Sequence, residues 1–486
     1  MKKIIFALGL ILGMTSCSSW LDEEPKSVAA ETFYNTEAEA ASAVLAPLNK
    51  LRNGYNHMYF PGMQESFADF AYGRGSWEPL SQYQGLNTTN ISRSTIVWTS
   101  LYQSVRDCNI AINRLPSASS LTDQQKSAYT AELRFIRAFD YYNLVRLYGA
   151  CPLRTDENMS EYNLAKSSVD DIYNYILADL TFASQNAPDA SRIVGTPNKY
   201  SALSLLSEVY LQLGKYSEAA STAKQVIDSG KYSLVSVSTS RDFDNIFGAN
   251  VVTSTEEVFY LKNDNSASGN GWVYVMLCSH PAARINGQKM HGAGGWYGIY
   301  TTDTNSLISE WDVKDLRKNF NLLSFNLGLG FNTYLMAKFY DPNAPSDSGA
   351  GNDYPVIRYP DVLFVYAEAT TKAAGAPNAD AMEKLNMIHR RAYGYAPTRT
   401  SPVDFNLAEY NTTDKFMDIL VKEQAYECMN DGKRWMFLTR LGIAKSQIKK
   451  IKGIDVADKH MLWPIPETEF NYNEALDASK DQNPGY

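Results

Sequence analysis

Between residues 198 and 229 the apolar side chains fall into two helical stripes separated by a short break. Leu203, Leu206, Tyr210 and Leu213 stand at i, i+3, i+7 and i+10, one face of a helix. Gly214-Lys215-Tyr216 interrupts the pattern, and Ala219, Ala220, Ala223, Val226 and Ile227 then form a second stripe. Neither helix can bury its stripe alone, so each needs the other. The small alanines in the second let the two axes approach closely. A chain with this signal is committed to helix-on-helix packing over at least part of its length.

The unit at 198–229 resembles a tetratricopeptide repeat, a helix, a tight glycine turn and a second helix. Further helical patterns lie at roughly 36–53, 95–115, 123–148 and 169–186, and a second pair at 360–393. A last long helix covers 414–431, with Asn430-Asp431-Gly432 suited to a left-handed stop. Two regions have a different texture. Residues 56–94 and 240–355 carry short β-branched or aromatic runs broken by glycine-rich stretches, Gly292-Ala293-Gly294-Gly295 among them. Long irregular segments inside a globular chain are usually functional or disordered, and the aromatic density here argues against disorder.

The N-terminus reads as an export signal. Met1-Lys2-Lys3 is basic, Ile4 to Met14 is apolar, and Thr15-Ser16 leads into Cys17. The apolar run is too short to span a bilayer. A cysteine at the cleavage site resembles a bacterial lipoprotein signal, with residues 1–16 removed, Cys17 lipidated and 17–30 a polar tether. No later apolar run approaches the length of a transmembrane helix. A net charge of −8 argues against nucleic acid as a partner. The other cysteines, Cys108, Cys151, Cys278 and Cys428, are scattered and contain no C-x-x-C, so at most one or two disulfides are expected.

The search for catalytic chemistry finds little. The five histidines form no H-E-x-x-H, and there is no G-x-S-x-G elbow or P-loop. Glu423 and Glu427, one helical turn apart, have the spacing of an acid/base pair, but they are better read as partners for arginines such as Arg434, Arg440 and Arg390. The helix around Arg134, Arg137 and Arg146 is apolar nearly all round. It is therefore expected to be buried, with carboxylates facing those arginines. No metal or cofactor is expected.

Binding chemistry is more legible. Aromatic residues make up 12% of the chain, 32 of them Tyr. A sugar ring has apolar C–H faces and a polar equator, which flat side chains and hydrogen-bonding forks match. The irregular regions supply both: Arg74, Trp77 and Tyr83 in the first, Trp272, Trp296, Tyr297 and Tyr300 in the second. Trp77 and Trp296, each flanked by glycine, are expected to face solvent and share one platform.

Four segments together resemble the SusD/RagB family of nutrient-uptake surface lipoproteins from Bacteroidota. They are Leu133 to Gly149 running into Pro152-Leu153; Pro355 to Leu363 continuing to Ala369; Glu423 to Glu427 with Gly432-Lys433-Arg434-Trp435 and Leu438 to Gly442; and Leu462-Trp463-Pro464-Ile465-Pro466 with Gln482 to Tyr486. The resemblance implies a mainly α fold, with several tetratricopeptide-like helical pairs packed against an irregular, loop-rich half with short strands. It implies a single domain over 31–486, with an N-terminal helical part at 31–235 and a C-terminal part at 236–486. It further implies a non-catalytic, lipid-anchored outer-membrane protein at the cell surface that delivers a glycan to a TonB-dependent transporter. A surface glycoside hydrolase and a peptide-binding repeat scaffold are the competing readings.

Overall fold

The computed structural model describes residues 34–266 and 269–486. The leader, Cys17 and the tether lie outside the described residues. Helix α1 (Glu37–Lys50) opens with a capping box, in which Thr36 Oγ1 accepts the Glu39 N–H and the Glu39 carboxylate accepts the Thr36 N–H. The chain then continues through a π-helical stretch, Leu51–Tyr59, into α2 (Phe60–Ser66). Ser100 explains the widening. Its hydroxyl donates to Lys50 O at 2.7 Å and accepts the Tyr55 N–H at 2.9 Å, so a side chain is inserted into the helical ladder. A Cβ on Gly54 would lie 2.6 Å from Ser100, so only glycine leaves room for it.

Four long helices follow: α3 (Thr88–Arg114), α4 (Asp123–Tyr148), α5 (Val169–Asn186) and α6 (Lys199–Gln212). Each is capped at its N-terminus by an Asn, Ser or Thr side chain that accepts an otherwise unpaired backbone N–H. After the Gly214 turn, with φ of 70°, comes α7 (Tyr216–Asp228). Each helix from α4 to α7 packs on the one before it, and α7 packs on α8 (Tyr359–Ala374), which pairs in turn with α9 (Ala379–Ala392). The stack therefore skips more than a hundred residues of sequence and resumes. Helices α10 (Thr413–Glu427) and α11 (Arg434–Arg440) complete it. Ala219 and Ala223 are wholly buried where α7 meets its neighbours. Ala219→Leu should overpack this contact and lower stability by about 1–3 kcal/mol; an unchanged denaturation midpoint would mean that α6 and α7 do not pack there.

The irregular half is built on small sheets. Strands β1 (Tyr72–Gly73), β3 (Ile299–Thr302), β5 (Thr333–Met336) and β4 (Leu322–Ser324) form an antiparallel sheet in that spatial order. Strand β2 (Glu257–Leu261) pairs with β6 (Tyr354–Arg358), which leads straight into α8. One apolar cluster runs from Ala40 through both halves to Ile465.

Several expectations need correction. The segment 56–94 is not a loop insert: every residue from 60 to 71 is buried, α2 lies within it, and α3 starts at Thr88 rather than near 95. Within the aromatic region 240–355, residues Tyr274–Cys278 form a helical turn rather than irregular chain. Helix α10 ends at Glu427, with the left-handed residues Asn430 and Gly432 just beyond it. The four cysteines expected to allow one or two disulfides are all free and buried.

Candidate ligand-binding cleft

The pairing of β1 with β3 brings the two aromatic segments together. Tyr72 stands opposite Tyr300 and Gly73 opposite Ile299, and beyond the ladder the Arg74 N–H donates to Gly298 O at 2.8 Å. The second segment is also held from its other side. Trp296, Tyr297 and Gly298 donate their backbone N–H groups to Met276, Ser279 and Leu277 carbonyls at 2.8–2.9 Å. This close approach is what requires glycine beside Trp296: a Cβ on Gly295 would stand 2.1 Å from Ser279 O. The glycine serves the backbone, not a ligand.

Between the segments opens a cleft of about 470 Å³, lined by Arg74, Ser76, Trp77, Arg93, Trp296 and Tyr297, with Met58 and Leu277 at its base. Four of the seven candidate binding residues, Arg74, Trp77, Trp296 and Tyr297, are thus gathered at one place. Their roles differ. Trp296 is 41% exposed. Tyr297 is half-buried with a φ of 39°, a left-handed backbone that turns its ring out of the segment. The Arg74 guanidinium lies 4.4 Å from the centre of that ring. His280 packs on Tyr297 with ring centres 4.4 Å apart; burial, helped by Arg74, lowers its pKa.

Trp77 corrects the expectation of a solvent-facing ring. It is only 5% exposed, with the Arg93 guanidinium 3.6 Å over its face, and it packs so tightly that a Cβ on Gly62 would come within 2.7 Å of it. It is a floor under the cleft. Tyr83 and Trp272 lie in the core. The Tyr83 hydroxyl donates to Phe67 O and its ring packs on Trp435 and His460. Trp272 is fully buried and donates its indole N–H to Asn56 O at 3.0 Å. Tyr300 is buried in β3. Sequence reasoning missed Arg93, because α3 was expected to begin after it. With Asn87 as the cap, Asn90, Arg93 and Val97 share one buried face of that helix at i, i+3 and i+7.

The carboxylates singled out as an acid/base pair are structural. Glu423 accepts from Arg317 Nη2 and lies 2.9 Å from His389 Nδ1; Glu427 meets Arg317, Arg358 and Arg391. Their partners are thus not Arg434, Arg440 and Arg390, which bind Asp69, Glu368 and Glu383 with Asp404. Burial alone would raise both pKa values, but the adjacent cations overcome it. Glu423 is held at about 2 and Glu427 well below the usual carboxylate range. A general acid needs the opposite shift. The arginines of α4 are likewise paired, Arg137 with Asp179 and Asp156, and Arg146 with Glu208. Among the described residues no cluster of His, Cys, Asp or Glu is arranged to hold a metal, and no helix is long and apolar enough to cross a membrane.

Comparison with known proteins adds to this geometry. A family model described as starch-binding, associating with the outer membrane, matches residues 19–211, and the SusD family model matches residues 288–486. The chain belongs to the SusD/RagB family. Among SusD-like relatives, protein P2 of Formosa agariphila is 26% identical over all of this chain and 99% of its own length. A solved SusD homolog from Bacteroides thetaiotaomicron aligns with a TM-score of 0.78 at 20% identity, covering 94% of this chain and 98% of that one. Surface glycan-binding protein A from Bacteroides fluxus aligns at 0.75 and 20% identity, covering 93% and 100%. The four segments that resemble the SusD/RagB family are structural: α4 is core, Arg358 and Glu427 share an ion cluster, and Asn483 ties Tyr148 O to Trp463 O.

Proposed function

We propose that this SusD-family chain captures an extracellular glycan in the cleft between residues 74–77 and 296–298. In this reading it is non-catalytic, is anchored to the outer membrane by lipid on Cys17, and delivers its ligand to a TonB-dependent transporter. The observation that carries the binding step is the convergence of exposed Trp296, half-exposed Tyr297 and the Arg74 fork on one cleft, from segments over two hundred residues apart. Flat rings beside a planar donor fork suit the face and equator of a sugar. The family description and the relative named for glycan binding support the same ligand class.

Trp296→Ala tests it. An exposed aromatic anchor typically carries about 2 kcal/mol of binding, so affinity for the cognate glycan should fall at least about tenfold in calorimetry. The melting temperature should hold, because the ring is already 41% exposed. Unchanged glycan affinity would move the site away from this cleft.

A further inference from the structure

The cleft carries a charge pattern that an uncharged sugar does not need. Two of its lining residues are arginines and none is a carboxylate, although the chain as a whole has 53 acidic against 45 basic residues. The arginines elsewhere in the interior, such as Arg137, Arg317, Arg358, Arg391 and Arg434, all face carboxylates within 4 Å. Among the described residues Arg74 and Arg93 form no ion pair.

Arg93 is the more telling of the two. It is 8% exposed, and its guanidinium is met only by neutral groups: Ser76 O and Oγ, Asn90 Oδ1 and the face of Trp77. A buried cation without a counter-charge is costly to keep, and burial lowers its pKa to about 10. Arg74 stands at the mouth, stacked on Tyr297, and among the described residues its guanidinium makes no hydrogen bond. Glu78, whose charge along with that of Arg74 acts on Tyr300, makes no ion pair with Arg74. Arg74 and Arg93 thus line an open cleft, and among the described residues no carboxylate is paired with either of them.

Resting on the glycan-binding reading, we propose that the ligand is an acidic glycan, whose carboxylate or sulfate oxygens dock on the Arg74 fork while an adjacent sugar face lies on Trp296 and Tyr297. Arg93 does not touch the ligand in this arrangement; it holds Trp77 in place and adds a positive field from behind it. A guanidinium presents parallel N–H groups that match two oxygens of either anion, which a lysine ammonium does not. Uronate carboxylates and sulfate esters share this chemistry.

The test is calorimetry of the full soluble chain with three length-matched sets: oligouronides, sulfated galactan oligomers and neutral β-glucan oligomers. The expected result is at least about tenfold tighter binding of one acidic set than of the neutral set. Oligouronides binding best assigns the carboxylate, and the sulfated set binding best assigns the sulfate ester. The preference should weaken as salt rises from about 0.05 to about 0.5 M, where screening shortens to a few ångströms. Arg74→Ala should bring the acidic-to-neutral ratio towards one, and Arg74→Lys should restore only part of it. Should the variants fold poorly, the preference and salt dependence of the unaltered protein decide alone. Neutral oligomers binding as tightly as acidic ones, with dependence on Trp296, would overturn the acidic ligand and leave the glycan reading intact. No binding in any set would overturn both.

Discussion

Glu427→Ala is expected to destabilise the protein by about 3–5 kcal/mol, a large part of the stability a folded domain usually has. The carboxylate is fully buried among Arg317, Arg358 and Arg391, which come from the short helix Leu316–Asn321 before β4, the end of β6 and α9. Its removal takes away the one anion that all three share, leaving Arg317 with Asp315 and Glu423, Arg358 with Asp431, and Arg391 with Glu256. Neighbouring Asp431 also binds Arg358 and the fully buried Lys338, so the damage spreads through the cluster. A thermal midpoint within a degree or two of the unaltered protein would show that the cluster contributes little. The cluster also sets an acid limit. Glu423 has a folded pKa of about 2 against an ordinary 4.5, and depressed carboxylates stabilise the fold above their unfolded value. That contribution is complete above about pH 5 and drains away as pH falls towards 2, with Glu427 and Asp431 acting in the same direction. Glu256, whose pKa burial raises, works against them. Glu423→Gln should therefore reduce the contribution that is lost on acidification, read as a smaller difference between denaturation midpoints at neutral pH and near pH 3 than in the unaltered protein.

Trp272→Ala should cost about 3–5 kcal/mol as well, through the cavity left in the core. The ring is wholly enclosed by Tyr274, Phe339 and Tyr354, and its N–H satisfies Asn56 O inside the π-helical stretch. Truncation would leave both a void and an unpaired carbonyl. The contrast with Trp296→Ala is the useful measurement: one substitution should alter melting and the other ligand affinity. Equal effects of the two on melting would contradict the burial difference between them.

That contrast also shows how far the sequence could be read. Helices α4 to α7 follow from their apolar patterns, and α4 to α6 also from a side-chain cap at the start; α7 has its stripe and the preceding Gly214 turn instead. The two aromatic segments, far apart in sequence, lie side by side through β1 and β3. What failed was the sorting of exposed from buried rings. Trp77, Trp272 and Trp296 all sit near glycines in irregular chain, and local composition cannot separate them. The difference arises from α2, the π-helical stretch and Arg93, which close over two of the rings from distant parts of the chain. The partners of Glu423 and Glu427 failed to appear for the same reason. Buried ion pairs follow tertiary proximity, and Arg317 lies in a region with no helical stripe to place it.

The clasp between Arg74 and Gly298 uses backbone groups alone, as do the three bonds that fix residues 296–298 from behind. The backbone path on both sides of the cleft is therefore held without hydrogen bonds from the Arg74 and Trp296 side chains. On the proposed reading of the cleft, positions 74 and 296 can change chemical character while the backbone walls stay in place, so a lineage could exchange one ligand for another by point substitutions without rebuilding its scaffold. The same separation makes these positions natural sites at which to diversify a library in search of new ligands.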